Sequence, residues 1–465
     1  MSMFNSAMTP AAIALNRFGL GARPDDAVPG DAKSWLLAQF KRYEPLPAPW
    51  QAQPRTPVVW NALVAQQREV RTAAASEKQA AQQAFRRESR DDYLAAVGAR
   101  AASALATPAP FVERLVHFWA NHFAVSVDKV AVLGLAGAFE ADAIRPNVLG
   151  RFEDLLLAGV RHPAMLLYLD QAASIGPQSP QALRVAERQP ARRRGLNENL
   201  AREIMELHTV GVRSGYTQAD VTEFARALTG WSVAGLGGAE AHADGETPFQ
   251  FRPMLHEPGA RTVLGRSYGE PGEQQARAIL HALATAPATA QHIAAKLARH
   301  FVADEPPPPL VEKLAAAFTR SGGDLPTVYR TLVDAPEAWQ PQPAKFKSPW
   351  EWSVSSLRAL GRHDVPALQA ANLLNQLGQP VWKPGSPAGY DDIAATWAAP
   401  DALVRRVEVA QRLAAQAGDA VDARSLAPRI LPGSLTQATA TAVARSESPA
   451  GALALLLVSP EFLRR

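Results

Sequence analysis

The chain has 465 residues, of which 47% are hydrophobic and 20% are charged, an ordinary globular composition with enough apolar material for a large core. The net charge is +4, and the cations are scattered without a basic stripe interleaved with aromatic residues, so the sequence disfavours nucleic-acid binding. The chain contains no cysteine, which excludes disulfides, thiolate metal sites, iron–sulfur clusters and a cysteine nucleophile.

The N-terminal sequence, MSMFNSAMTPAAIALNRFGLG, has no basic segment and no long apolar run, so it does not resemble a secretory signal. No stretch of the chain approaches the roughly 20 apolar residues of a membrane-spanning helix. We therefore expect a cytoplasmic protein without a membrane span. Export while bound to a signal-bearing partner would leave the same sequence.

Helical periodicity dominates the chain from its first segment, residues 1–56. Thr9 followed by Pro10 is typical of a helix start, because the hydroxyl caps the first turn and proline has no amide to leave unbonded. A short amphipathic helix is predicted over residues 31–42. The proline-rich residues 43–56 that follow are predicted to be irregular.

Two further segments complete the predicted domain organisation. Residues 57–108 are rich in alanine, glutamine and arginine, and they predict one or two long helices that form a solvent-exposed arm. Residues 109–465 are predicted to be the main helical body. Two capping boxes signal helix starts in this body: Thr217 with Asp220, and Ser348 with Glu351.

Two segments of the main body are predicted not to be helical. Residues 176–195 are polar, basic and proline-bearing, which predicts a mobile loop. Residues 249–268 hold the one plausible pair of strands, with a turn at Pro258 and Gly259. The sequence therefore predicts an all-α protein, a multi-helix globular body with one small β-hairpin near 249–268.

The segment LNENLAREIMELH, residues 196–208, carries the first group of candidate catalytic residues. Its leucine and isoleucine residues form an apolar helical stripe, and Asn199 and Glu203 fall inside that stripe. A carboxylate there is costly unless it is paired, so Glu203 is a candidate general acid or base, with Asn199 and Arg202 as its supporting contacts. The alternative is that Glu203 pairs with a cation from another helix and only stabilises the fold.

The segment RLVHFWANHF carries the second group. Arg114, His117 and Asn121 share one helix face, opposite an apolar face. His117 is a candidate proton donor or orienting group, and Arg114 a candidate contact for an anion or a transition state. The alternative is a structural polar network. The HExxH zinc pattern is not present, because its glutamate is missing.

Four residues are candidate ligands for a divalent metal: His122, His208, Glu206 and His256. Glu206 and His208 are two positions apart, so they could share one metal only if the helix ends there. His256 lies in a predicted loop with the sequence HEPG, where the alternative is a turn histidine bonded to its own backbone.

Several basic residues form a weaker group. His300 falls on an apolar helix face, which favours a core role, whereas Lys296 and Arg299 could meet the carboxylates of residues 198–206. Lys345 and Lys347 precede a helix start and could contact an anionic ligand.

Seven motifs make the chain resemble, over nearly its whole length, the bacterial family catalogued as domain of unknown function 1800. They are NRFGLG from Asn16, RLVHFWANHFAVS from Arg114, LNENLAREIMELHTVG from Leu196, GYTQADVTEFARALTGW from Gly215, HEPG with the following VLG from His256, IAAKLARHFVAD from Ile293 and KSPWEW from Lys347. The resemblance carries no catalytic assignment. It implies a partner, since members often occur beside a sulfatase-like family, domain of unknown function 1501, whose members tend to carry export signals.

Two functional hypotheses follow. The first is an enzyme that uses carboxylate and histidine acid–base chemistry, with or without a divalent metal, on a polar, hydroxyl-rich or anionic substrate. Serine-hydrolase, P-loop and dinucleotide-binding motifs are not present, which disfavours those enzyme classes. The second is a non-enzymatic helical partner or maturation factor of the sulfatase-like protein. An enzyme should place the polar groups around one pocket, whereas a scaffold should bury or scatter them.

Overall fold

The structure of the chain is a computed structural model that describes residues 8–188, 195–235 and 248–465. Helices make up 64% of the chain, and the structure confirms the predicted all-α body. The helices of the first half are Pro10–Ala12 (α1), Ala32–Ala38 (α2), Ala48–Gln51 (α3), Thr56–Thr72 (α4), Ala75–Ala106 (α5), Pro110–His122 (α6), Val130–Leu133 (α7), Leu135–Phe139 (α8), Phe152–Arg161 (α9), Pro163–Tyr168 (α10), Pro180–Arg188 (α11), Asn199–Glu203 (α12) and Gln218–Leu228 (α13).

The second half continues the helical body. Its helices are Glu273–Ala284 (α14), Pro287–Phe301 (α15), Pro308–Ser321 (α16), Leu325–Asp334 (α17), Pro349–Ala359 (α18), Ala367–Gln376 (α19), Ala394–Trp397 (α20), Pro400–Ala417 (α21), Ala423–Ile430 (α22), Gln437–Ala444 (α23), Pro449–Leu457 (α24) and Pro460–Leu463 (α25). Three stretches have π-helical geometry: Ile13–Phe18, Glu140–Ile144 and Ile204–His208.

The helix starts that the sequence signals are confirmed. The Thr9 hydroxyl accepts a hydrogen bond from the amide of Ala12 at the start of α1. Both capping boxes form, at Thr217 before α13 and at Ser348 before α18. These starts were predictable because a cap uses only side chains and amides within one turn of each other.

The structure confirms a small β-hairpin within residues 249–268, but its turn differs from the prediction and the described residues contain a second small sheet. Trp231–Val233 (β1) pairs antiparallel with Phe249–Phe251 (β2), and Arg261–Val263 (β3) pairs with Arg266–Tyr268 (β4). The turn between β3 and β4 is formed by Leu264 and Gly265, both with positive φ, and not by Pro258 and Gly259. A two-residue turn with positive φ matches the twist of the strands that it joins.

The predicted arm and the predicted mobile loop also differ from the structure. Residues 76–88 of α5 are exposed on almost every side, but its second half is buried against α8 and α19. Small residues allow this contact: a Cβ added to Gly137 of α8 would lie 2.3 Å from the Cβ of Ala96 in α5. The segment 176–195 contains α11, and its residues 189–194 lie outside the described part of the chain.

One hydrophobic cluster joins residues from all three predicted segments, from Met8 to Phe462. Helix α6 lies inside it, and nearly all of its residues are buried. Its polar residues therefore need partners in the interior: Glu113 forms two hydrogen bonds with Arg145, at 2.7 and 2.8 Å. In the described part of the chain, no helix is both long and apolar enough to cross a membrane.

Candidate functional site

A cavity of about 640 Å³ opens between α6, α15, the start of α18 and residues 379–395. This volume lies in the range of pockets that hold small molecules. Its walls carry many ionisable side chains. Those that matter for the chemistry are Arg100, His117, Lys296, His300 and Asp392.

His300 and Asp392 form a hydrogen-bonded pair on the cavity wall. The distance from His300 Nδ1 to Asp392 Oδ2 is 2.6 Å, and because a carboxylate can only accept, Nδ1 carries the proton. The other ring nitrogen, Nε2, is covered from solvent and has no hydrogen-bond partner among the described residues. Burial lowers the pKa of His300, although Asp392 opposes this effect. The imidazole is therefore neutral at pH 7, with a free lone pair on Nε2.

Asp392 stays ionised although burial acts to raise its pKa. His300 and Lys345 hold the pKa of this carboxyl well below its ordinary value. Lys345 Nζ lies 3.2 Å from Asp392 Oδ1 and 2.6 Å from Asp304 Oδ1. Lys345, which also binds Asp304, thus fixes the Asp392 carboxylate that orients His300.

Lys296 lies one helical turn before His300 on α15, so both side chains share one face of that helix. Its ammonium forms no hydrogen bond or ion pair with any described residue. Burial lowers the pKa of Lys296 to about 8, and Asp392 opposes this shift. At pH 7 the side chain is mostly protonated, so it offers the cavity a cation that forms no close ion pair within the described ranges.

His117 is neutral and has a defined tautomer. Trp350 Nε1 donates a hydrogen bond of 3.0 Å to His117 Nδ1, and since an indole can only donate, Nδ1 is unprotonated. Burial, and then the nearby guanidinium groups of Arg100, Arg145 and Arg114, hold the pKa of His117 well below its ordinary value. Its proton lies on Nε2, which has no hydrogen-bond partner among the described residues.

Arg114 belongs to a structural network although it borders the cavity. Its guanidinium donates to the carbonyl of Gly19 and to Glu351, which also accepts a 2.8 Å hydrogen bond from Arg465. Burial lowers the pKa of Arg114 to about 10, and the pKa of Glu351 lies well below its ordinary value because Arg114 and Arg465 outweigh the effect of burial. The predicted anion contact is thus already bonded to the protein.

Asn121 fixes the wall opposite α15. Its Nδ2 donates to the Tyr390 carbonyl at 2.9 Å, and its Oδ1 accepts from the Tyr390 amide at 2.7 Å. Gly389 makes this approach possible, since it has a φ of +81° and a Cβ there would lie 2.4 Å from the Asn121 carbonyl oxygen. Asp392 follows two residues after this clamp, so Asn121 helps to place it.

The segment 196–208 does not line the cavity. Helix α12 begins only at Asn199, which is exposed, while Glu203 is half-buried with its pKa raised by desolvation and by Glu206. Arg202 forms a surface network with Glu198 and Glu206, each at 3.3 Å. The helical wheel placed Asn199 wrongly because it assumed one regular helix from Leu196, whereas the helix begins only at Asn199 and changes to π geometry at Ile204.

The four predicted metal ligands do not come together as one group. His122 borders the cavity and donates from Nε2 to the carbonyl of His208 at 3.1 Å, whereas His256 donates from Nδ1 to the carbonyl of Thr229 at 2.9 Å and does not line the cavity. Glu206 lies in the surface network. Within the described ranges, no set of three or more histidine, aspartate or glutamate side chains is arranged to hold a metal ion. Metal binding stays a prediction.

The structure also shows the contacts of the basic residues that were predicted to meet carboxylates or an anionic ligand. Lys296 and Arg299 do not meet the carboxylates of residues 198–206, since Arg299 Nε donates to the Asp304 carbonyl at 3.1 Å. Lys347 is buried, with Nζ 3.1 Å from Ser355 Oγ and above the ring of Phe462, so it does not reach the cavity.

A family model described as a protein of unknown function, DUF1800, matches residues 13–464. The chain belongs to the DUF1800 family. No curated protein and no solved structure matches it significantly. Membership confirms the resemblance seen in the motifs, and it assigns no activity, so the function of this DUF1800 chain has to be argued from the cavity itself.

The sequence located part of this DUF1800 cavity. Of the predicted catalytic residues, Arg114 and His117 border it, and so does His122 of the predicted metal ligands. Sequence reasoning placed His300 in the core and did not select Asp392. The available signal was the spacing of Lys296 and His300, but their carboxylate partner lies 92 residues away and is brought close only by the fold.

Proposed function

We propose that the chain is an enzyme in which His300, oriented by Asp392, acts as a general base on a polar, hydroxyl-bearing or anionic substrate held in the cavity. The observation that supports this most is the 2.6 Å hydrogen bond between the two side chains on the cavity wall, which Lys296 also lines. General-base catalysis uses a buried histidine of this kind, in which one ring nitrogen donates to a carboxylate and the other keeps its lone pair.

The proton would move from the reacting group to Nε2 of His300. A substrate hydroxyl, or a water attacking the substrate, would give its proton to His300 Nε2, while Nδ1–H stays bonded to Asp392. The resulting imidazolium would be stabilised by the ionised Asp392, which Lys345 keeps in place. The geometry requires the reacting group to reach Nε2 from the cavity.

Lys296 would stabilise negative charge that develops during the reaction. It lies on the same face of α15 as His300, and it has no counterion among the described residues. An ammonium in a site partly shielded from water acts more strongly on nearby charge than it would in solution. This pairing of a base with a free cation favours substrates that are anionic or become so, including those that are hydrolysed.

The test begins with a panel of nitrophenyl esters, sulfate esters, phosphate esters and glycosides, assayed with the purified full chain. On any substrate that turns over, His300→Gln should lower kcat/KM by a factor on the order of 10²–10⁴, and Asp392→Asn should also lower it because the imidazole loses its orienting partner. Because only the neutral imidazole accepts a proton, kcat/KM should fall as the pH drops below the lowered pKa of His300.

The matched control is His281→Gln. His281 Nδ1 also bonds to a carboxylate, Glu153, at 2.9 Å, but this pair lies on the surface and does not border the cavity. This variant should keep full activity. A substrate-free readout is a nitrogen-15 NMR spectrum of the imidazole, which should show the proton of His300 on Nδ1 at pH 7. Full activity in His300→Gln, or a proton on Nε2 of His300 at pH 7, would overturn the proposal.

We also propose, as the alternative, that the chain is a non-enzymatic partner of the sulfatase-like protein of the domain-of-unknown-function 1501 family. This is supported by residues 76–88 of α5, a polar helical surface that is exposed on almost every side and is free for docking. Co-expression and size-exclusion chromatography of the two proteins should then give a stable complex. Separate elution at native salt would argue against it.

A further inference from the structure

The least satisfied side chain of the cavity is Arg100, which lies on α5. Only 8% of the residue is exposed, and its guanidinium lies over the rings of Trp350 at 4.7 Å and Trp382 at 5.4 Å. A guanidinium has five N–H donors, yet none forms a hydrogen bond with a described residue, and the Nε atom is fully covered from solvent. Donors without acceptors on a side chain that is this deeply buried are costly, so their retention on a cavity wall points to a ligand.

The surroundings of Arg100 leave one edge open. Glu140 Oε2 lies 3.4 Å from Nε, on the inner edge, and this carboxyl is shared with Arg145 and accepts a hydrogen bond from Trp382. The indole rings cover the faces of the guanidinium. What remains is the edge formed by the two Nη atoms, on a side chain that lines the cavity.

The two carboxyls that act most on Arg100, those of Glu140 and Glu113, are paired with a cation or less readily ionised. Glu113 is held by Arg145 through two hydrogen bonds, and burial raises the pKa of Glu140. His117, whose ring meets that of Trp350 edge to face with centroids 5.0 Å apart, is neutral. Lys296 is a further cation of the cavity, without an ion-pair partner among the described residues.

We infer that the Nη edge of Arg100 is a binding subsite for a carboxylate of the ligand. A planar carboxylate matches two parallel N–H donors, which is the geometry that an edge-exposed guanidinium selects. The inference deepens the proposed function, because the carboxylate would belong to the substrate on which His300 acts. Binding can nevertheless be measured without turnover, so the two proposals can fail separately.

The test is calorimetric titration of the full chain with galacturonate and acetate, with galactose as the uncharged match and sulfate as an inorganic oxyanion. Galacturonate should bind at least about tenfold more tightly than galactose. Arg100→Lys keeps the charge but removes the fork, so it should weaken galacturonate binding by roughly tenfold or more. Arg405→Lys, in an exposed ion pair with Asp401, is the control and should not change binding.

The outcomes separate the proposal of a carboxylate subsite at Arg100 from the proposal of a general base at His300. Galacturonate binding that survives in His300→Gln but is lost in Arg100→Lys supports the subsite even if His300 proves not to be the base. If Arg100→Lys does not fold, the preference of the wild-type protein for galacturonate over galactose still decides. Equal binding of the two sugars, no binding of either carboxylate, or a preference for sulfate over both carboxylates would overturn the inference.

Discussion

At the scale of single residues, the interior of this protein holds several histidines whose pKa is lowered by burial. His208 is fully buried, and neither of its ring nitrogens has a hydrogen-bond partner among the described residues. Its ring packs 5.0 Å from Phe123 and 5.9 Å from His122. Burial, with smaller effects of Lys296 and His292, lowers the pKa of His208 to about 3. A histidine in this environment behaves as an aromatic core residue that cannot accept a proton without cost.

The buried histidines predict a loss of stability in acid. The unfolded chain binds protons at His208 below about pH 6.5, whereas the folded chain does so only near pH 3, so the free energy of unfolding falls as the pH drops between these values. For His208 the loss at pH 5 is about 2 kcal/mol. His208→Phe should therefore reduce the difference in urea stability between pH 7.5 and pH 5 by about this amount.

The control for this prediction is His281→Gln, whose side chain is 60% exposed. It should leave the acid sensitivity as it is in the wild-type protein. The same pH dependence in His208→Phe as in the wild type would show that His208 does not stay neutral in the folded state.

At the scale of secondary-structure elements, α6 organises the cavity. One end of the helix binds the core through Glu113 and Arg145, and the other end clamps residues 379–395 through Asn121. This loop carries Asp392 and forms one wall of the cavity. The clamp uses both the donor and the acceptor of a single amide, so no other residue type replaces it with the same geometry.

Asn121→Ala should loosen this loop without unfolding α6. Loss of the two hydrogen bonds to Tyr390 costs roughly 1–3 kcal/mol of local stability, so the Tyr390 amide should exchange its hydrogen roughly 10–100 times faster. Asn147→Ala, which removes a single bond to the Ala143 carbonyl, serves as the control. Unchanged exchange at Tyr390 in Asn121→Ala would mean that other contacts hold the loop.

At the scale of the whole molecule, α5 connects the exposed surface with the core. Its first half extends into solvent, and its second half packs against α8 and α19 through small residues. The contacts of Gly137 with Ala96 and of Gly98 with Ala367 bring the helix backbones close together. Large side chains at these positions would separate the helices and displace Arg100, which lies on the same stretch of α5.

Gly137→Ala tests this contact. The new Cβ would overlap with Ala96, so we expect the free energy of unfolding to fall by about 1–3 kcal/mol in urea denaturation, in spite of the better helix propensity of alanine. Gly30→Ala is the matched control, since no atom lies within 4 Å of its added Cβ. Equal stability of the two variants would contradict the close packing of α5 and α8.

Local features of this protein were predictable, and contacts between distant segments were not. The caps at Thr9, Thr217 and Ser348 depend on one helical turn, and all three form. The pairing of β2 with β1 instead of with a following strand was missed, because very short strands carry little periodicity and their partner is chosen by packing. The polar face of α6 was found, because Arg114, His117 and Asn121 have helical spacing.

The sequence by itself determined the family, the helical class, the helix starts and one wall of the candidate site, since these depend on motifs and on side chains close together in the chain. The tertiary structure decided the rest. It places Glu203 away from the cavity and pairs His300 with Asp392, which lies 92 residues later in the sequence. It also packs the guanidinium of Arg100 against the rings of two tryptophans. These groups meet because a single core folds α5, α6 and α15 around the same space, and no periodicity along the chain encodes which helices become neighbours.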